Sequence, residues 1–218
     1  MLNRRNMMIV GGAAAVGGAY AFWPRPGGEA LLPGVSAANA QGAVEIEDIV
    51  IGDADAPVEV IEYASYTCPH CAAFHANTFK DFKAQYIDTG KVRFVYREVF
   101  FDRYGLWAAM IARCAGPERY FGISDLLYQE QQTWARAGDP AAIADSLKRL
   151  GAQAGMEQAT LDACLQDGDM AQSLVAWYEE NAARDNVRAT PSFLVNGEMH
   201  SGNMSLQQLG ALVDAAAG

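Results

Sequence analysis

Two of the four cysteines, Cys68 and Cys71, are separated only by Pro69 and His70 in the stretch EVIEYASYTCPHCAAFH. The apolar, β-branched run ahead of them reads as a buried strand. The residues after them, with Cys71, Phe74, Thr78, Phe79 and Phe82 at three- and four-residue spacings, read as a helix starting at Cys68 or Pro69. Proline suits a first helical turn, where its missing N–H would have been unpaired anyway. At such a turn several backbone N–H groups lack partners and the helix dipole adds partial positive charge. A thiolate at Cys68 is therefore favoured, and His70 is expected to add a positive charge or an N–H donor beside the sulfur. Cys71, one turn on and more buried, is close enough to close a disulfide with Cys68. The chemistry expected of the pair is reversible dithiol–disulfide exchange through a mixed disulfide at the outer sulfur. The competing reading is half of a zinc site completed by His70 or His75, but no second ligand pair stands at zinc-site spacing.

The elements that must position this pair follow from periodicity. VEVIEYA, residues 58–64, is the strand entering the motif, and KVRFVYREVFF, residues 91–101, alternates as a second strand. Near the end of the chain PSFLVNGEMHSG reads as strand, Asn196-Gly197 turn, strand. SLQQLGALVDAAA then closes as an amphipathic helix with Ser205 as its cap. From about Tyr104 to Asp185 the pattern is almost wholly helical, broken at Gly116-Pro117 and near Gly138-Asp139-Pro140. The fold class is α/β, an α/β unit split by a helical insertion too long for an ordinary connection. The aromatic residues of the insertion, Trp107, Tyr120, Phe121, Trp134 and Trp177, stand at helical spacings and read as core.

With the Cys-Pro-His-Cys motif in hand, the chain resembles the DsbA family of exported thiol–disulfide oxidoreductases. The other matching residues are Glu62, six positions before Cys68, and Thr190-Pro191 ahead of the SFLVNG strand. The resemblance implies a thioredoxin fold interrupted by an all-helical insertion, with thioredoxin-like parts at 43–101 and 187–218 and the insertion at 102–186. It implies that Pro191 is cis and faces the sulfurs, that the backbone of Thr190 pairs with an extended substrate segment, and that Glu62 lies beneath the disulfide and influences proton transfer at Cys71. Read from the residues alone, Glu62 is equally a partly exposed strand residue, Pro191 an ordinary trans proline opening a strand, and His75 a surface or hydrogen-bonded histidine. Residue 190 is Thr where the best-known oxidase of the family has Val and the isomerases often have Thr.

By the same resemblance the partners are reduced, unfolded exported proteins and a quinone-linked membrane oxidase of the DsbB type, with neither organic cofactor nor metal. The alternatives are a reductase or isomerase on the same fold, a chaperone-like binding module with a groove near Thr190, and a metal carrier.

The first 42 residues differ in kind from the rest. Arg4-Arg5 precede an uncharged, Gly- and Ala-rich stretch from Met7 to Trp23, which reads as a twin-arginine-like or general export signal, either cleaved or kept as a membrane anchor. Residues 24–42 read as a flexible tether. The expected location is the periplasm, where an oxidising environment lets disulfides persist. There Cys114 and Cys164 are expected to form a second, structural bridge, the alternative being two separate buried thiols. A net charge of −10 with no basic run beyond Arg4-Arg5 disfavours nucleic acid and anionic membrane surfaces as partners.

Overall fold

The computed structural model describes residues 44–218; the export signal or anchor and the tether expected of residues 1–42 lie outside the described residues. The β-branched run expected to be a strand is β2, Val58–Ala64, and it pairs in parallel with β3, Val92–Glu98, in continuous register from Val58 opposite Val92 to Ala64 opposite Glu98. A third strand, β1, Ile49–Ile51, had no clear sequence signal and lies antiparallel along the outside of β3. The Asn196-Gly197 turn joins β4, Ser192–Val195, to β5, Glu198–Ser201, and β4 is antiparallel to β2. Both turn residues take positive φ, 45° and 87°, as a tight hairpin of this type requires. The sheet order is β1-β3-β2-β4-β5, so β2, which leads into the cysteines, is its central strand.

In β2 and β3 every residue but the second is buried. The alternation expected of residues 91–101 is therefore not what packing shows. An interior strand covered on both faces buries both sets of side chains, and the charged ones among them are paired. Arg97 binds Asp48 through two 2.8 Å bonds and Asp185 at 3.0 Å, while Glu98 takes a bidentate grip from Arg113 at 2.7 and 2.6 Å.

One sheet face is covered by α1, a helical run made of Pro69–Phe74, a π turn at His75–Phe79, Lys80–Phe82 and a second π turn at Lys83–Ile87. A π turn widens the helix by one residue, so neighbouring side chains share its inner face: Phe74 with His75, and Thr78 with Phe79, are all buried.

Between β3 and β4 run α2 (Arg103–Cys114), α3 (Pro117–Gln129), α4 (Gln131–Trp134), α5 (Pro140–Gln153), α6 (Gln158–Gln166) and α7 (Gly168–Arg184). Cys114, at the end of α2, and Cys164, in α6, are joined by a disulfide across 50 residues. The closing helix α8, Leu206–Ala217, is capped by Ser205 in a reciprocal box with Gln208. Tight packing of the insertion centres on Gly151. A Cβ there would collide with the Leu161 side chain of α6 and press on Ile111 at 3.3 Å. Gly151→Ala is expected to lower stability by roughly 1–3 kcal/mol, read as a lower denaturation midpoint in urea at unchanged slope.

Candidate active site

The central strand ends at Ala64, and the chain turns through Ser65, Tyr66 and Thr67 before α1 begins at Pro69. Cys68 is the cap residue, with extended backbone (φ −82°, ψ 119°) and its N–H bound to Ser65 O at 3.0 Å. The insertion holds this loop at two points. Thr67 Oγ1 donates to Asp102 Oδ2 at 2.7 Å, and Asp102 in turn caps α2 through Tyr104 and Gly105 N–H. From α4, the buried Gln131 donates Nε2–H bonds to the carbonyls of Tyr66 (2.8 Å) and Cys68 (2.9 Å). Nothing in the sequence marked Gln131, because its role arises only where a four-residue helix meets the motif loop.

The two sulfurs, here in the dithiol form, are unequal. Cys68 is 8% exposed and Cys71 is fully buried. The Cys71 thiol hydrogen-bonds to Cys68, and that bond does most to bring the Cys68 thiol down from 9.0 to about 5. Burial opposes the shift, while Thr190 and the backbone N–H groups of Cys71 and His70 assist it. His70 is exposed, and its backbone is among the groups that lower the Cys68 thiol. The Cys71 thiol is pushed far up, first by burial, then by its bond to Cys68 and by the charge of Glu62. A thiol lowered to about 5 is mostly thiolate above that pH. Alkylation of the reduced protein by iodoacetamide should therefore rise with a midpoint near pH 5, with label on Cys68 and little on Cys71.

The Thr190-Pro191 peptide is cis, and Thr190 O lies 3.4 Å from Cys68 Sγ. The trans alternative is thereby excluded. Thr190 Oγ1 is buried and has no hydrogen-bond partner among the described residues. The contact to Cys68 is made by the Thr190 carbonyl, which accepts from the thiol.

Glu62 lies on the face of β2 turned towards α1 and is fully buried, not partly exposed. Both its oxygens meet His75 Nε2, at 3.2 and 3.0 Å, and His75 is itself only 3% exposed. The sequence placed His75 on the Cys71 face of the helix but gave no sign of its partner, which comes from the neighbouring strand. Among the described residues no three His, Cys, Asp or Glu side chains gather into a metal-binding group. None of the helices described is long and apolar enough to cross a membrane.

A family model described as thioredoxin matches residues 45–215. A Rickettsia felis protein named as a candidate protein-disulfide oxidoreductase is 32% identical over 192 residues, 88% of this chain and 68% of its own length. Disulfide bond formation protein D of Bacillus subtilis is 26% identical over 162 residues, 69% of this chain and 68% of its own. Against the rickettsial relatives the chain spans about two thirds of their length, between 62% and 68%. Among solved structures, Wolbachia pipientis alpha-DsbA1 superposes with a TM-score of 0.72 at 28% identity, covering 81% of this chain and 94% of that one.

Proposed function

Because the chain belongs to the thioredoxin family, among its DsbA-like protein-disulfide oxidoreductases, we propose that it donates the Cys68–Cys71 disulfide to reduced proteins outside the cytoplasm. The observation that carries this is the inequality of the two sulfurs, with Cys68 near the surface and lowered to about 5 and Cys71 buried and pushed up. A substrate thiolate attacks Cys68 Sγ; the S–S bond breaks, and its electron pair leaves on Cys71, which takes a proton. A second substrate thiolate attacks the substrate sulfur of the mixed disulfide and releases Cys68 as a thiolate. The substrate is oxidised by two electrons and the Cys68–Cys71 pair reduced by two. Glu62 bears on the protonation of Cys71, Thr190 and cis-Pro191 form the wall against which an extended substrate segment pairs, and Pro69 and the His70 backbone set the helix start. Residues 43–101 and 187–218 carry this chemistry, and residues 102–186 form an insertion that holds the loop through Asp102 and Gln131. Reoxidation falls to a quinone-linked membrane oxidase of the DsbB type, and residues 1–42 direct export to the periplasm.

A stabilised thiolate favours the reduced form, so the disulfide should be oxidising. Reduction potentials of such pairs run from about −120 mV for strong exported oxidants to about −270 mV for thioredoxin. Titration in glutathione buffers, with Cys114 and Cys164 followed separately by mass, is expected to give a value nearer the first. The thiolate advantage exists above the lowered value and is lost as pH falls through about 5. The potential should then change by about 30 mV per pH unit above that point, where reduction takes up one proton, and by about 59 mV below it, where it takes up two. A potential near that of thioredoxin would overturn the donor reading in favour of a reductase, the reading that Thr190 supports.

A further inference from the structure

Thr190 stands beside Cys68, yet the segment that brings it there is held from the sheet face turned away from α1. Helix α7 ends at Arg184 with Asp185 as its cap. Asn186 then takes a positive φ of 54°, and the N–H groups of Asn186 and Val187 turn back onto the carbonyls of Ala183 (3.3 Å) and Ala182 (2.9 Å). Thr190 is the fifth residue after Asp185, and its carbonyl lies 3.4 Å from Cys68 Sγ. The Asp185 carboxylate accepts from the Tyr63 hydroxyl, from Arg97 Nη1 at 3.0 Å and from Arg184 through two bonds of 2.8 Å. The Tyr63 oxygen itself accepts from Arg97 Nη1 at 2.8 Å, and Asp48 fixes the other side of that guanidinium. Charges so far out of water are costly unless each is paired, and here each is. Burial, then the bond to Asp185, push the Tyr63 hydroxyl up to about 12, while Arg184 first of all holds Asp185 below its ordinary range. Donor and acceptor therefore keep their protonation states through neutral pH. Tyr63 lies in β2, five residues before Cys68, so its bond to Asp185 ties the strand that delivers the sulfur to the helix that delivers Thr190. Beside the link from Asp185 to Thr190 runs a cleft of about 400 Å³, lined by Tyr178, Ala182, Val187 and Arg188. The link is thus packed on one side only, by Val187 against the sheet. Its position depends on its two ends, Asp185 at one and Ala189 O, which accepts from Ser192 Oγ at 2.8 Å, at the other.

We propose that Asp185, held by Tyr63 and Arg97, is a positioning residue for disulfide exchange with polypeptides: it fixes the link that sets the Thr190 backbone where an extended substrate segment pairs with it. The inference rests on the substrate-pairing reading above and adds the group that holds the pairing edge in place. In the disulfide form Cys68 has no proton to give, so the Thr190 carbonyl is free to accept from a substrate N–H. Such a bond weakens steeply once its length or angle departs from the ordinary range. A link released at Asp185 can shift towards the cleft and carry the carbonyl out of that range. A small thiol has no peptide group to pair and does not sense the link. No covalent bond changes beyond those of the exchange step itself.

The test compares the rates at which three thiols open the Cys68–Cys71 disulfide of the full chain at neutral pH. They are an extended peptide with one cysteine, the same peptide N-methylated on both neighbours of that cysteine, and 2-mercaptoethanol. In Asp185→Asn the rate with the plain peptide should fall about tenfold, the effect of losing two backbone hydrogen bonds. The rate with 2-mercaptoethanol should stay within about twofold of wild type, since that thiol shares no partner with Asp185. N-methylation should cost wild type about tenfold and Asp185→Asn less than about twofold, because both changes remove the same pairing. Tyr63→Phe deletes one hydroxyl and keeps the ring; it should show the same pattern, and it carries the test if Asp185→Asn does not fold. Equal slowing of the peptide and 2-mercaptoethanol would overturn the inference, as that is the mark of a residue that only supports the fold. An unchanged peptide rate with the full N-methyl penalty would overturn it too, leaving the pairing at Thr190 in place. Absence of an N-methyl penalty in wild type would overturn the pairing reading and this inference together.

Discussion

Cys68→Ser is expected to lower disulfide exchange by at least about three orders of magnitude, and Cys71→Ser is expected to leave a protein that accumulates mixed disulfides. The two outcomes differ because the sulfurs do. Cys68 is the sulfur within reach of solvent, at 8% exposure, and the one lowered to about 5; a serine hydroxyl there neither ionises nor accepts attack by a thiolate. Cys71 cannot stand in for it, since it is fully buried and its thiol is pushed far up by that burial. Removing Cys71 instead leaves a reactive outer sulfur with no internal thiol to displace a bound partner. Reduced wild type and both variants mixed with a disulfide-bonded peptide, acid-quenched and run on non-reducing gels, would show this directly. A persistent adduct should appear only for Cys71→Ser. Activity above about one part in a hundred in Cys68→Ser would mean that exchange runs through another sulfur, and the assignment of Cys68 would fall.

The parts of this site that were legible in the sequence are those whose causes are local. A β-branched run, a proline at a helix start, an Asn-Gly turn and a serine helix cap each act within a few residues, and each stands where its pattern placed it. What could not be read depends on contacts set by topology. Glu62 and His75 are 13 residues apart, and each alone reads as an ordinary strand or surface residue. Only the crossing from β2 into α1, with a π turn at its second turn, brings Nε2 onto both carboxylate oxygens. Gln131 reaches the Cys68 carbonyl across 63 residues, a distance over which no periodicity carries information. The alternation expected of residues 91–101 failed for a related reason. Arg97 and Glu98 are neighbours on opposite faces of β3, and both are buried because Asp48, Asp185 and Arg113 neutralise them inside the core.

The second large effect expected is on stability. Replacing both Cys114 and Cys164 by alanine should cost about 4 kcal/mol in the chain-entropy model, because the bridge closes a loop of 50 residues. For a domain of this size that corresponds to a fall in Tm of about 8–16 °C, and against a usual total of about 5–15 kcal/mol it is a large share. The bridge ties the end of α2 to α6, and α2 also carries Arg113, which neutralises the buried Glu98. Tyr120 donates to that same carboxylate at 2.7 Å and accepts from Tyr66, two residues before Cys68, at 2.9 Å. Calorimetry of the double variant beside wild type reads the first quantity, and the pH midpoint of Cys68 alkylation reads whether the loss travels along that chain of bonds. A lower Tm with the midpoint still near pH 5 assigns the bridge to holding the insertion together. A lower Tm with a midpoint displaced by a unit or more assigns it, through Arg113, Glu98, Tyr120 and Tyr66, to holding the active-site loop. An unchanged Tm would refute the stabilising role outright, since the loop-closure entropy depends only on the length bridged and not on what the insertion does.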